Sequence, residues 1–315
     1  MKLLITRCLP DQTVAAARAR FDVTYRDDPT PLPPAALRAA LREYDAILPT
    51  LGDLFRADVF TDVPQPRARI LANFGVGYNH IDVPSARAAG LQVTNTPGAV
   101  TDATADIALT LILMSARRAG EGERLLRSGH WTGWHPTQML GTHVSGKTVG
   151  IIGMGRIGQA IARRCHHGFG MTVLYHNRSA LTLSALPATQ VSLPDALQAD
   201  FVVLAVPATP ETRHLINAAT LALMRPTAHL INIARGDVVD EAALIAALQS
   251  RQIAGAGLDV YEFEPRIPPA LAQLDNATLL PHLGTAALET RQSMGQMALA
   301  NLIAFQDGTP LPNPV

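Results

Sequence analysis

Short apolar runs alternate with helical patterns along the first hundred residues of the chain. The apolar runs predict strands at 2–6, 22–26, 44–48, 69–74 and 91–94. The spacing of apolar residues between several of these runs predicts helices at 11–20, 35–42 and 84–89. The prolines within 29–34 mark a loop. Strands that alternate with helices are typical of βαβ units around a parallel sheet, so this part of the chain predicts an α/β domain.

A long apolar stretch at 101–118 separates this series from a second one. Its apolar centre predicts a helix buried between two layers or two domains, and we expect Gly120 to end it. The second series has predicted strands at 148–153, 171–175, 201–205, 229–233 and 255–260, and a last helix at 286–305. The chain therefore predicts the α/β class, with two doubly wound parallel-sheet domains of Rossmann or flavodoxin type and a cleft between them.

Composition narrows the class of protein. Lys plus Arg equal Asp plus Glu at 26 each, so the basic excess that is usual in a nucleic-acid partner is missing. Two cysteines cannot build a disulfide framework. The apolar run at the amino terminus is too short for a signal-peptide core, and no apolar run approaches the roughly 18 residues of a membrane span. We expect a cytoplasmic enzyme without membrane or nucleic-acid partners, and no metal site.

The segment 147–164 combines a predicted strand, the turn Gly153-x-Gly155-x-x-Gly158 and a predicted helix. Gly153 permits the tight turn, Gly155 lets the backbone approach a pyrophosphate, and Gly158 lets the helix pack close to the strand. The first N–H groups of such a helix bind phosphate. The three features together predict a dinucleotide site, against the alternative of an incidental glycine-rich turn.

The residues after the second predicted strand of this series indicate which dinucleotide is bound. An NAD site usually has Asp or Glu there, about 20 residues past the glycines. No acid lies between Met171 and Ser184, and the strand leads into Asn177, Arg178 and Ser179. An arginine and a hydroxyl can bind a 2′-phosphate, although Arg178 also fits a solvated surface residue. The pattern favours NADP(H), with NAD(H) possible.

Polar residues follow the later strands of the second series. Arg235 follows 229–233, Asp259 ends 255–260 with Glu264 beyond it, and His282 precedes a glycine. Because ligands bind outside the carboxyl ends of parallel strands, these loops should open toward one crevice. The fork of Arg235 is suited to bind a substrate carboxylate, and His282 is suited to transfer a proton. Glu264 is suited to hold the imidazole and stabilise its protonated form. Each residue also has a structural alternative. Arg235 fits a surface ion pair, His282 a loop histidine with a local hydrogen bond, and Glu264 a solvated loop residue.

These residues resemble those of the D-isomer-specific 2-hydroxyacid dehydrogenases, most of all the glyoxylate/hydroxypyruvate reductase branch. The resemblance runs through NFGVGYNHID (73–82), VTNTPGAVTDATAD (93–106), GHWTGWHPTQMLG (129–141), the glycine turn, VPATPETRHLI (206–216), NIARGDVVDE (232–241), GAGLDVYEFEP (255–265) and LPHLGTA (280–286). It implies reduction of a small 2-oxo acid by NADPH, with Arg235, Glu264 and His282 as the catalytic residues. If His282 is not the acid, His80 and His135 are the next candidates.

The same resemblance implies the binding residues and the domain boundaries. Val76 and Gly77, with Arg235 and His282, are expected to bind substrate, and Asp259 the nicotinamide carboxamide. Besides the residues already named for it, the cofactor is expected to contact Thr104, Arg156, Ile157, Pro207, Thr212, Ile233, Ala234, His282 and Gly284. Residues 100–286 are expected to form the dinucleotide-binding domain, inserted into a substrate-binding domain of 1–99 plus 287–315. A homodimer through the cofactor domain is also implied.

Alternatives remain for the substrate and for one segment. A 2-ketogluconate-type or phosphoglycerate-type dehydrogenase fits the same motifs. A phosphorylated substrate would need extra cations; Arg7, Arg56, Arg67 and Arg69 are present, but none lies in a motif tied to phosphate. A dinucleotide-sensing corepressor is the alternative outside enzymes. The segment 131–141 is a candidate for reaching the partner's pocket, and its two tryptophans fit dimer-interface packing equally well.

Overall fold

A computed structural model describes residues 1–181 and 186–315. The chain divides into two compact units, one of Met1–Val100 with Thr285–Val315 and one of Thr101–Gly284. Each unit contains its own parallel sheet. The chain is therefore of the α/β class with two Rossmann-like units, as its alternating pattern predicts.

The first unit is built on a five-stranded parallel sheet in the order β2-β1-β3-β4-β5. The strands are β1 Lys2–Ile5, β2 Asp22–Tyr25, β3 Ala46–Leu48, β4 Ile70–Ala72 and β5 Gln92–Thr94. The helices are α1 Asp11–Arg18, α2 Pro34–Glu43, α3 Ala57–Thr61, α4 Val83–Ala88 and, from the end of the chain, α12 Leu288–Gln306. The last helix packs on β4 and α1, which settles the unit it belongs to.

The second unit is built on a seven-stranded parallel sheet in the order β12-β11-β10-β9-β6-β7-β8. The strands are β6 Thr148–Ile152, β7 Thr172–His176, β8 Ala188–Gln190, β9 Phe201–Leu204, β10 His229–Asn232, β11 Gly255–Leu258 and β12 Ala277–Leu279. The helices are α5 Thr101–Ala116, α6 Ala119–Arg127, α7 Arg156–Phe169, α8 Leu193–Leu197, α9 Ala218–Leu221, α10 Glu241–Gln249 and α11 Pro269–Ala272, with a 3₁₀ turn at Gly236–Val238.

The long helix α5 ends earlier than its apolar pattern predicts. It stops at Ala116, and Gly120 lies inside α6 instead of ending α5, so that expectation is wrong. The break comes at Arg118, which has the left-handed φ of 54° and directly precedes α6. Helix α5 packs against β10, β11 and α7. Because it is covered on several sides, it is apolar around most of its circumference, as expected of a buried helix.

Two apolar clusters flank the seven-stranded sheet and fix the loops at its carboxyl edge. One includes Ile152, Leu204, Leu230 and Leu258, and the other includes Ile151, Val203 and Ile231. Neighbouring residues of β6, β9 and β10 thus point to opposite faces, as parallel strands covered on both sides require.

In the described ranges no helix is long and apolar enough to cross a membrane.

Candidate active site

The glycine turn between β6 and α7 has the geometry that its spacing predicts. Gly153 has a φ of 98°, and a Cβ on Gly158 would lie 2.1 Å from the Gly153 carbonyl oxygen. A Cβ on Gly155 would meet nothing within 4 Å. No side chain caps α7 at Gly155. Two glycines are thus required by the fold itself, whereas Gly155 faces open space beside the helix N-terminus, which fits a bound pyrophosphate.

The end of β7 lies against this turn. The Gly153 N–H donates to the His176 carbonyl at 2.9 Å, and the Met154 N–H donates to Asn177 Oδ1 at 3.4 Å. Asn177 Nδ2 donates to the Ser179 carbonyl. Arg178 is exposed. Hydrogen bonds from Thr209 and the backbone lower the pKa of the Glu211 carboxylate, and the charge of Arg178 lowers it further. The described part of the acid-free stretch therefore presents a cation, while 182–185 lie outside the described residues.

Arg235 follows β10 at the carboxyl edge of the sheet. It is half-buried, and its Nη1 donates to the Ala234 carbonyl at 2.8 Å. Burial lowers the pKa of Arg235, and the carboxylates of Glu264 and Asp237 oppose that shift. Arginine stays protonated in proteins, so this loop holds a desolvated positive charge near Glu264, as an anchor for a substrate carboxylate requires.

The buried Asn232 shapes the turn that carries Arg235. Its Oδ1 accepts from the Ala234 N–H at 3.0 Å, and its Nδ2 donates to the Arg235 carbonyl at 2.9 Å. Its own carbonyl accepts from the Asp259 N–H at 3.0 Å. Asn232 is not among the residues predicted from the sequence. The available signal was a polar residue at the end of an otherwise apolar strand.

His282 and Glu264 form a direct pair in loops that follow β12 and β11. His282 Nδ1 lies 2.9 Å from Glu264 Oε2, and Glu264 Oε1 accepts from the Tyr261 N–H at 3.0 Å. Burial alone would raise the pKa of Glu264. The hydrogen bond and charge of His282, the Tyr261 N–H and the Arg235 charge together hold that pKa below its usual value. The structure therefore pairs His282 with an ionised carboxylate, and the charge of Arg235 acts on the same carboxylate.

Asp259 holds the loop that carries His282. Its Oδ1 accepts from the Leu283 N–H at 2.6 Å and its Oδ2 from the Gly284 N–H at 2.7 Å. His282 itself has a left-handed φ of 55°. Burial raises the pKa of Asp259, against the two backbone hydrogen bonds and the charge of His282. Both carboxylate oxygens thus have partners within the loop, a structural role beyond the expected contact with nicotinamide.

The turn Gly75–Gly77 follows β4 in the first unit. Asn73 Nδ2 donates to the carbonyls of Gly75 and Gly77, each at 3.0 Å, and Asn95 Nδ2 donates to the Val76 carbonyl at 2.9 Å. Among the described residues, neither the Val76 nor the Gly77 N–H has an acceptor. With its carbonyls held inward, this turn can offer two N–H groups to an anion. Asn73 and Asn95 are not among the residues predicted from the sequence.

The other expected cofactor contacts lie in the second unit, in helices α5 and α7 and in the loops after β9, β10 and β12. Thr104 Oγ1 donates to the Gly284 carbonyl at 3.1 Å, and Thr212 Oγ1 donates to the Pro207 carbonyl at 2.7 Å. Arg156 is exposed in the first turn of α7, and Ile157 beside it packs on the core. Ile233 and Ala234 are buried after β10. These residues shape the loops at the carboxyl edge, where their contribution to binding stays a prediction.

The two alternative histidines have other surroundings. His80 is buried, and its Nε2 lies 3.0 Å from Asn73 Oδ1, so it supports the Gly75–Gly77 turn. His135 is exposed, with Nδ1 3.3 Å from Thr137 Oγ1. His282, in comparison, has Nδ1 2.9 Å from the Glu264 carboxylate. His282 therefore stays the strongest candidate for the proton donor.

The arginines considered for a phosphorylated substrate are partly engaged elsewhere. Arg67 Nε pairs with Asp45 at 2.7 Å. Arg7 donates to Thr50 Oγ1 at 3.2 Å and to backbone carbonyls of its own unit. Arg56 precedes α3 and is exposed, as is Arg69 before β4.

Across the described ranges no three His, Cys, Asp or Glu side chains are grouped to hold a metal ion.

The match to known proteins covers nearly the whole chain. A family model of the D-isomer specific 2-hydroxyacid dehydrogenase, NAD binding domain, matches residues 109–284. A glyoxylate reductase from Thermococcus kodakarensis is 46% identical over 314 residues, which cover 98% of this chain and 93% of that protein. The chain belongs to the D-isomer-specific 2-hydroxyacid dehydrogenase family. A Pyrococcus horikoshii glyoxylate reductase is equally similar, at 46% identity and the same coverage.

Solved structures of the family have the same fold as this dehydrogenase. One is an NADPH-dependent glyoxylate/hydroxypyruvate reductase from Sinorhizobium meliloti in complex with NADP and malonate. It is 35% identical, has a TM-score of 0.88, and the match covers 100% of this chain and 96% of that one. Another, from a Polaromonas species, is described as a putative NAD-binding member of the family. It is 38% identical with a TM-score of 0.92, and the coverage is 100% and 99%.

Proposed function

We propose that this dehydrogenase reduces glyoxylate and hydroxypyruvate to the 2-hydroxy acids with NADPH. The observation that carries the proposal is the His282–Glu264 pair beside the desolvated guanidinium of Arg235. A proton donor held by a carboxylate, next to a cation, matches the charges that appear when a 2-oxo acid is reduced. The full-length relatives named glyoxylate reductase support this substrate class.

NADPH would be held by the residues of the second unit. The open position at Gly155 and the uncapped start of α7 suit the pyrophosphate, and Arg178 with Ser179 suits a 2′-phosphate. When bound, the nicotinamide supplies the hydride. We propose residues 100–286 as the dinucleotide-binding domain and 1–99 plus 287–315 as the substrate-binding domain.

The chain's own residues bind the carboxylate and move one proton. The N–H groups of Val76 and Gly77 are proposed to donate to the substrate carboxylate, and Arg235 to bind the carboxylate and the carbonyl oxygen. Because Nδ1 of His282 faces Glu264, that nitrogen carries a proton and Nε2 points elsewhere. Nε2 of the imidazolium then donates its proton to the carbonyl oxygen as the hydride arrives, and Glu264 keeps the ring in place.

Steady-state kinetics test the proposal against its alternatives. The panel contains glyoxylate, hydroxypyruvate and 2-ketogluconate with NADPH and with NADH, and 3-phosphoglycerate with NADP⁺. We expect the highest kcat/KM for the first two acids with NADPH. A preference for 2-ketogluconate or 3-phosphoglycerate would replace the substrate assignment. Nucleotide binding without turnover of any acid would favour the corepressor instead.

A homodimer through the cofactor domain is proposed from an exposed apolar segment of the second unit. Leu126, Trp131, Trp134 and Leu140 are all more than a third exposed, and Trp134 is 80% exposed. Exposed tryptophans and leucines in one segment are typical of protein interfaces. We expect sedimentation to give twice the 33.6 kDa chain mass. A Trp134→Ser variant that stays a dimer, or a native monomer, would contradict this interface.

A further inference from the structure

The loop of Arg235 and the loop of Glu264 touch through their backbones. A Cβ on Gly236 would lie 1.8 Å from the Tyr261 carbonyl carbon and 2.3 Å from the Glu262 nitrogen. Only glycine permits such an approach. The contact lies one residue after Arg235 and two residues before Glu264. The relative positions of those two side chains therefore depend on whatever holds these loops together.

Glu262 is the side chain at this junction. Its carboxylate is nearly buried, with 9% of the side chain exposed. Oε1 lies 2.8 Å from His214 Nε2 and 3.6 Å from an Arg213 nitrogen, and Oε2 lies 3.5 Å from the Glu241 backbone nitrogen. A buried carboxylate needs such partners. Glu262 therefore joins the loop of Glu264 to the loop after β9 and to the start of α10.

His214 joins three consecutive loops of the carboxyl edge. It lies in the loop after β9 and has a left-handed φ of 49°. Its backbone N–H donates to the Asp237 carbonyl at 2.8 Å, in the 3₁₀ turn after Arg235. Its Nε2 meets Glu262 in the loop after β11. A non-glycine residue persists in this conformation only where its surroundings hold it there, and both contacts do so.

Glu241 completes the cluster from the first turn of α10. Its Oε2 lies 3.5 Å from the Glu262 backbone nitrogen, the reverse of the contact that the Glu262 carboxylate makes. Glu241 is 6% exposed. Burial raises the pKa of the Glu241 carboxyl. The contact with the Glu262 backbone lowers it, and the charge of Glu262 raises it. Two buried carboxylates at one junction are tolerated because His214 and Arg213 face one of them.

We propose that His214 and Glu262 are positioning residues for the reductase reaction, because they lock the loop of Arg235 to the loop of Glu264. The proposal rests on the proposed function, in which these loops supply the anchor and the support of the proton donor. Neither side chain is expected to contact substrate or cofactor. Loosening the lock should lower kcat, since misplacement by a fraction of an ångström weakens stabilisation of the transition state.

Three variants loosen the lock without touching Arg235, Glu264 or His282. His214→Asn keeps a residue type that tolerates left-handed φ but removes the contact to Glu262. Glu262→Ala removes the carboxylate, and Glu262→Gln keeps its shape and one hydrogen bond. We expect kcat for hydroxypyruvate to fall about tenfold in His214→Asn and Glu262→Ala, and less in Glu262→Gln. The Kd for NADPH should change less than about twofold.

The matched control is Glu43→Gln, the same change at an exposed acid at the end of α2. It should leave kcat unchanged. Melting temperatures are measured for all variants. If Glu262→Ala does not fold, His214→Asn and Glu262→Gln carry the test. Recovery of kcat in Glu262→Gln relative to Glu262→Ala or His214→Asn would support positioning through this contact.

A double-mutant comparison separates positioning from a general loss of structure. If Glu262 acts through Glu264, adding Glu262→Gln to Glu264→Ala should cost less than about twofold in kcat, because the positioned side chain is already absent. A fully multiplied loss would overturn the inference, and so would wild-type kcat in His214→Asn and the Glu262 variants. Absence of turnover in the unmutated enzyme would overturn the proposed function and this inference together.

Discussion

Nδ1 of His282 lies 2.9 Å from Oε2 of Glu264, although the two residues come from loops after different strands. The left-handed backbone of His282 and the two hydrogen bonds that Asp259 accepts from the next residues set this relationship. The carboxylate stays ionised because the neighbouring charges and hydrogen bonds outweigh its burial. Glu264 can therefore hold the imidazole ring as an ionised hydrogen-bond acceptor.

The first prediction is a shift of the pH profile in Glu264→Gln. Reduction uses the imidazolium as proton donor, so its rate should fall as pH rises and His282 loses its proton. Glutamine keeps the shape of Glu264 but removes the charge that favours the imidazolium. The alkaline limb of reductive kcat should therefore move to lower pH. The opposite limb of the oxidative reaction should move in the same direction.

The control for this prediction uses two histidines. His282→Ala should remove the limb and lower kcat by about 10²- to 10⁴-fold, as typical for loss of a general acid. His135→Ala, at an exposed histidine of the same unit, should leave both unchanged. An unshifted limb in Glu264→Gln, measured where chemistry limits the rate, would rule out the coupling of the two residues.

The second prediction concerns Arg235→Lys. Lysine keeps the positive charge but loses the planar fork that binds a carboxylate through two parallel hydrogen bonds. One charged hydrogen bond contributes about 1.5–3 kcal/mol, so kcat/KM should fall about 10- to 100-fold. The Kd for NADPH, measured by titration of its fluorescence, should stay the same. Turnover close to that of the wild type would mean that a different cation anchors the substrate.

The third prediction concerns Arg178→Asp and the choice of cofactor. An aspartate would repel a 2′-phosphate and could bind ribose hydroxyls. The ratio of kcat/KM for NADPH to that for NADH should therefore fall below one. The matched control is Arg163→Asp, at an exposed arginine of α7. A wild-type enzyme that uses NADH as well as NADPH would contradict the assigned preference.

The fourth prediction compares two glycines of the same turn. Gly155→Ala adds a Cβ that meets nothing within 4 Å, so the melting temperature should stay unchanged while the Kd for NADPH rises at least tenfold. Gly158→Ala places a Cβ 2.1 Å from a backbone oxygen, so α7 must move and the protein should lose stability. Unchanged NADPH affinity in Gly155→Ala would show that the pyrophosphate does not lie there.

The central strands were predictable from sequence, whereas the two edge strands of the larger sheet were not. β6, β9 and β10 are apolar runs buried on both faces, which gives a strong local signal. β8 and β12 have three residues each and pair on one side only. Such short segments become strands because a neighbour supplies their hydrogen bonds, and local sequence does not record that neighbour.

The charged members of the candidate site were predictable, and the residues that hold them were not. Arg235 and Glu264 stand out because they follow predicted strands, and His282 because it lies between a short apolar run and a glycine. Asn232 and Asn73 act through hydrogen bonds to backbone groups of their own turns. Those bonds depend on the folded path of the loop. The early end of α5 at Ala116 has the same kind of cause, since the left-handed backbone of Arg118 is set by the folded chain and not by the apolar pattern.

Transfer of label from deuterated NADPH to hydroxypyruvate is the most direct test of hydride transfer from NADPH to a 2-oxo acid. The enzyme is incubated with NADPH deuterated on the transferred position, and the product is examined by mass spectrometry and chiral chromatography. We expect D-glycerate with one deuterium on C2, formed in step with NADPH oxidation and lost in His282→Ala. Unlabelled glycerate, or oxidation of NADPH without glycerate, would contradict direct hydride transfer to the 2-oxo acid, and the L isomer would contradict the D specificity of the family.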